Sequence, residues 1–103
     1  MSDFDQWFVH AATIKQHYKY LLATMDLRDS GLLNHLYSNA VVSEREKEFI
    51  SCQATLYEQN QELLSVLIRK TKSQFDTFLD ALDSTGQHHI RSRISGVLDN
   101  PYQ

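Results

Sequence analysis

Apolar side chains return at intervals of three and four along most of this chain, the period of a helix face; no run alternates apolar and polar residues with β-branched side chains as a strand would. Phe75, Phe78, Leu79 and Leu82 fall at i, i+3, i+4 and i+7, with Asp76, Asp80 and Asp83 on the opposite side. Just upstream, Leu56, Leu63 and Leu67 share a face that Leu64 and Ile68 widen. Thr55 with Glu58 and Thr71 with Gln74 form T-x-x-E and T-x-x-Q capping boxes, which predict the two helix starts. Gly86 is placed to end the second helix, where a residue of positive φ is wanted. Two adjacent helices with such wide apolar faces are not stable alone, so the rest of the chain must cover them.

The clearest periodic pattern lies at the start. Phe4, Trp7, Ala11, Ile14, Tyr18, Leu21, Leu22 and Met25 predict one amphipathic helix over about 4–25, with His10, Lys15, Gln16 and Lys19 outward. The DLRDSG turn at 26–31 follows, where Asp26 or Asp29 can cap a helix that turns Leu32, Leu33, Leu36 and Tyr37 inward and ends near 38–39. A short apolar link at 40–42 leads to an S-x-x-E box of Ser43 and Glu46, opening a charged helix, SEREKEFISC, with Phe49 and Ile50 inward. After Gly86 a final helix turns Ile90, Ile94, Val97 and Leu98 inward, and Asn100-Pro101 stops it. Six helices with brief connections favour antiparallel neighbours, hence an all-α bundle. Its expected core is Phe75, Phe78, Leu82, Leu63, Leu67 and Leu36.

Composition narrows the classes. A chain of 103 residues with little glycine or proline fits one domain with one modest core, expected to span 1–103 with the bundle at about 4–98. A net charge of −3 argues against a dedicated nucleic-acid binder, which carries a strong basic excess. No apolar run is long enough to span a membrane, and the acidic, aromatic start is unlike a signal peptide. The single cysteine, Cys52, cannot form an internal disulfide; with no N-x-S/T site, the cytoplasm is the expected compartment.

Candidate chemistry is sparse. Cys52 lies in ISCQAT and reads as a small residue at a helix end, because a nucleophile needs a histidine base and an activating environment. His88 and His89 are adjacent and diverge on a helix, while His10 and His17 share a face but lack a third ligand. The DLRDSG turn has the outline of a calcium loop, yet Arg28 and Ser30 occupy ligand positions and Tyr37 stands where a bidentate Glu is needed. Phe4, Trp7 and Phe8 read as core or lid residues. No base, nucleophile and oxyanion donors converge, so neither an enzyme nor a cofactor is expected. The charges are more informative because their signs are segregated: Glu44, Glu46 and Glu48 on the third helix, Lys15 and Lys19 on the first, Arg69, Lys70 and Lys72 at the end of the fourth. Opposite signs on different faces permit head-to-tail pairing, and a heterologous contact that does not close generates a helical filament.

The segments Leu32-Leu33-x-x-Leu36, Asn39-Ala40-Val41-Val42-Ser43 with Glu46, and Glu62-Leu63-Leu64-x-x-Leu67 precede Phe75-Asp76-x-Phe78-x-x-Ala81-Leu82-x-Ser84-Thr85-Gly86. Together, over about 10–98, they resemble the caspase recruitment domain, a branch of the death-fold superfamily. The last segment is similar to the family's F-x-x-F/L-x-x-A-L-x-x-T-G signature and is most like the prodomains of initiator caspases. Thr71 departs from the glycine usual in that turn. The resemblance implies a six-helix antiparallel Greek-key bundle and homotypic binding that recruits caspases or innate-immune signalling partners. It also implies a basic surface on helices one and four that meets an acidic surface on helices two and three. Carried over by position, the acidic side is Asn34, Asn39, Glu44 and Glu46, and the basic side is Lys15, Lys19, Arg69 and Lys70. Asn34 and Asn39 stand where some members have acids, and Tyr57 and Gln61 where some prodomains have arginines. The expected partner is another such domain or a second copy, with a homo-oligomer or filament at high concentration, and neither nucleic acid nor membrane. The start at Met1 and the end at Gln103 suggest an excised prodomain or a small stand-alone regulator; the alternative role is a decoy that blocks such assembly.

Overall fold

The structure, a computed structural model, describes residues 3–95, with side chains from Val9 onward. The packing expected of Phe4, Trp7, Phe8, Val97 and Leu98 and the stop at Asn100-Pro101 lie outside the described residues. Those described residues form helices α1 (Asp3–Gln16), α2 (Tyr18–Thr24), α3 (Leu32–Ser38), α4 (Glu44–Ser51), α5 (Leu56–Ile68), α6 (Lys72–Ser84) and α7 (His88–Ser95), with no strand. The all-α bundle is as the pattern predicts. The single helix expected over about 4–25 is instead divided at His17, whose φ of −107° and ψ of 19° leave the helical region. Neither glycine nor proline marks the break. It follows Thr13, whose hydroxyl donates to the Val9 carbonyl, a back-bond of the kind that bends helices. The apolar stripe survives it, for Ala11 and Ile14 from α1 and Leu21, Leu22 and Met25 beyond it are all buried.

Local chemistry sets most of the other boundaries. Both bonds of the Ser43–Glu46 box are present, the Glu46 amide donating to the Ser43 hydroxyl at 3.0 Å and the Ser43 amide to the Glu46 carboxylate at 2.9 Å. The Thr71–Gln74 box opens α6 in the same way, with both bonds at 3.1 Å. Thr55 caps α5 with the hydroxyl half alone, accepting from the Glu58 amide. Gly86, at φ +80°, closes α6 in a Schellman motif: the Gln87 amide donates to the Leu82 carbonyl and the Gly86 amide to that of Asp83. The same motif closes α3, with Val41 donating to Leu36 and Ala40 to Tyr37, although the left-handed position holds an alanine. The expected cap of α3 by Asp26 or Asp29 does not form. Gly31 at φ +82° holds the N-cap position, and the Asp26 carboxylate accepts from the Asp29 amide within the turn.

Phe78, Leu82, Leu63, Leu67 and Leu36 are fully buried and Phe75 nearly so, in one cluster with Ile14, Leu21, Ile50 and Ile90. α5 and α6 sit at its centre: α1, α2 and α4 pack on α5, while α1, α3 and α7 pack on α6. Four expected side-chain positions are reversed. Tyr37, Phe49 and Leu56, expected inward, are 41%, 53% and 47% exposed. His10, expected outward, is buried with its ring stacked on Phe75 at 5.0 Å between centroids, which joins α1 to α6. Three amides are buried as well. Asn60 donates to the Leu22 and Met25 carbonyls at the end of α2. Gln59 accepts from Arg28 and donates to the Ser51 and Gln53 carbonyls. Gln87 exchanges bonds with the amide and carbonyl of Asp26, fastening the α2–α3 turn to the α6–α7 turn. Each satisfies backbone groups that a helix end or turn leaves open, which offsets the cost of burying it.

Candidate protein–protein interface

The acidic candidates lie along α3 and the head of α4. Asn34 is exposed on α3; Asn39 is its C-cap, with the side-chain amide donating to the His35 carbonyl. Glu44 is exposed at the first position of α4, where the helix dipole favours an anion, and has no ion-pair partner among the described residues. Glu46, two residues on, is held from both sides. One of its oxygens accepts the Ser43 amide and the Lys70 ammonium, each at 2.9 Å. Burial opposes its ionisation, but the Ser43 amide, the Lys70 bond and charge, and the charge of Arg69 together outweigh it. They hold the carboxyl below its ordinary value.

Two of the basic candidates therefore share an edge with the acids. Lys70, just past the end of α5, is joined to Glu46, and Arg69, the C-cap, donates to the Ser65 carbonyl at 3.0 Å. The structure thus brings Glu46, Arg69 and Lys70 together within one protomer. Lys15 and Lys19 lie elsewhere, exposed on α1 and α2 on either side of the break at His17. They line an open groove of about 490 Å³ with His17, Tyr18, Tyr20 and Arg93. Neither lysine meets a carboxylate among the described residues.

Arg93 has no precedent in the sequence pattern. Its guanidinium lies over the Tyr20 ring, 4.4 Å from the centroid, which brings α7 to the groove beside α2. The exposed Phe49 and Leu56 are likewise unanticipated, because the helical period assigned both inward, and Tyr57 beside them is exposed as well. On the far side of α6, Arg91 of α7 pairs with Asp80 and Asp83. Among the described residues no group of three or more His, Cys, Asp or Glu side chains could hold a metal ion, and no helix is long and apolar enough to cross a membrane. Cys52 is an exposed free thiol at the end of α4.

Comparison with known proteins agrees with the all-α fold. The family model described as "Caspase recruitment domain" matches residues 11–97. The chain is 32% identical over 73 residues to apoptotic protease-activating factor 1 of Mus musculus, an alignment that covers 71% of this chain and 6% of that much longer protein. No solved structure matches.

Proposed function

The chain belongs to the caspase recruitment domain family, a family of non-catalytic interaction modules that bind one another, and from that membership we propose that it clusters caspases or signalling adaptors through domain–domain contacts. Bringing tethered partners together raises their effective concentration, so proximity alone activates them. The relative's name, an apoptotic protease-activating factor, favours an apoptotic setting over an inflammatory one; the lone cysteine is in keeping with the reducing cytoplasm proposed as its compartment.

The observation that carries the reading is the division of uncommitted charge. Lys15 and Lys19 are exposed on α1 and α2 and Glu44 is exposed at the head of α4, none with an ion-pair partner among the described residues. In the proposed contact Glu44, flanked by Asn34 and Asn39, faces Lys15 and Lys19 of a neighbouring domain. Glu46, Arg69 and Lys70 contribute at the margin, since an incoming partner has to compete with the pair they already form. Repetition of such a contact builds an open helical assembly. Exposed pairs contribute only about 0.2–1 kcal/mol each, so several must act together, setting orientation and on-rate. Light scattering across a salt series tests this. Assembly should weaken as the Debye length falls from about 10 Å at 0.1 M salt to about 3 Å at 1 M. Assembly that strengthens with salt would place the contact on the exposed Phe49, Leu56 and Tyr57 instead.

A further inference from the structure

We propose that the groove at the break between α1 and α2 binds a small, multiply charged phosphate-bearing anion. Of the ten Lys and Arg residues, most are committed within the fold. Lys70, Lys72 and Arg91 pair with carboxylates, Lys47 covers the Tyr37 ring, and Arg28 and Arg69 donate to an amide and a carbonyl oxygen. Lys15 and Lys19, which have no carboxylate partner among the described residues, and Arg93, which lies over the Tyr20 ring, instead line one groove whose lining contains no carboxylate. Three cations lining one groove repel one another, and in a chain of net charge −3 nothing in the overall balance requires it.

The lining also suits the ligand. At about 490 Å³ the open groove has room for a small anion on its surface. Tyr18 and Tyr20 are half-buried and form an aromatic wall with hydroxyls able to donate. The contact with Tyr20 holds the Arg93 guanidinium beside the groove before a ligand arrives. A planar fork with two flexible ammonium groups matches a group that offers several oxygens and more than one charge, as phosphates do and a single carboxylate does not. The ligand is either a free polyphosphate or the phosphorylated headgroup of a lipid. Occupancy would neutralise Lys15 and Lys19; only its consequence for assembly rests on the function proposed above.

The test is a titration of the isotope-labelled chain, at a concentration where light scattering reports a monomer, with sodium tripolyphosphate followed by amide chemical shifts. Saturable shifts confined to the groove, at 15–20 and 93, are expected. Changing Lys15, Lys19 and Arg93 together to Gln should weaken binding by about tenfold or more. Should that variant melt early, Lys15→Gln alone, at an exposed residue, gives the same test through a smaller loss. A second arm uses phosphatidylcholine vesicles with and without phosphatidylinositol bisphosphate. Binding of tripolyphosphate without co-sedimentation assigns a soluble anion. Co-sedimentation that needs the bisphosphate lipid and the three cations assigns a headgroup. Shifts spread equally over Arg45 and Lys72, unchanged affinity in the substituted chains, or binding of neither probe would overturn the proposal. No second domain takes part, so failure here leaves the charge-paired contact standing.

Discussion

Ala40 occupies the left-handed position of the motif that closes α3, at φ +62°. An L-residue there costs about 1–2 kcal/mol, whereas glycine adopts the conformation freely. Glycine also loosens the unfolded chain, which returns about 0.4–1 kcal/mol. Ala40→Gly should therefore raise stability by about 0.5–1 kcal/mol in urea unfolding; a loss would mean that the position carries no strain. Glu46 gives a second prediction at this scale. Its folded-state value lies below the ordinary 4.5, so its contribution is complete above that value and is lost as pH falls through the lower one. Glu46→Gln keeps an oxygen for the Ser43 amide and removes only the charge that meets Lys70. The wild type should exceed this variant by about 0.2–1 kcal/mol at pH 7, and the margin should close in strong acid. An equal margin at pH 7 and pH 3 would contradict the charge pair.

Individual residues were the least legible part of the sequence. Residue type assigned Phe49 and Leu56 to the core and His10 to solvent, and all three are reversed. The buried amides are invisible to periodicity because their partners are remote: Asn60 bonds a carbonyl 38 residues away and Gln87 one 61 away. The close approach of Glu46 and Lys70, 24 residues apart, was equally hidden, and it joins two charges that the sequence set on opposite sides.

Helices were more legible, because caps are local. Ser43, Thr55 and Thr71 all sit at the N-cap positions that their sequence boxes predict, and Gly86 ends α6. The two misreadings also share a cause. At His17 the helix breaks without glycine or proline, and at the start of α3 a backbone turn through Gly31 replaces a side-chain cap. The first has no residue type that announces it, and at the second the two aspartates are the stronger N-cap signal although the glycine takes the position. Loss of an N-cap acceptor costs about 0.5–2 kcal/mol, typically near 1. Ser43→Ala and Thr55→Ala should each destabilise by about 1 kcal/mol in thermal unfolding, Ser43→Ala by more, since its box makes both bonds and its partner Glu46 also holds Lys70. Unfolding curves indistinguishable from wild type in both would remove the caps from the account.

The bundle as a whole was readable because its central elements announce themselves. The wide faces of α5 and α6 demand cover, and brief connections leave few ways to supply it. The function proposed for the whole molecule rests less on its core than on where its charges remain uncommitted. The central claim is a charge-paired contact between copies or relatives of this domain. Reversing Glu46 would test it poorly, because that change also breaks the α4 cap and sets a lysine against Lys70. Glu44, Lys15 and Lys19 are exposed and lack ion-pair partners among the described residues, so they can be reversed with little effect on the fold. Glu44→Lys in one chain, and Lys15→Glu with Lys19→Glu in another, should each weaken assembly by on the order of tenfold, since like charges then face each other. The decisive measurement is light scattering of the two defective chains, alone and mixed. Mixing restores opposite signs at every contact, so the account expects large complexes from the mixture and little from either chain by itself. Normal assembly by each chain alone, or a mixture that scatters as the sum of its parts, would contradict it.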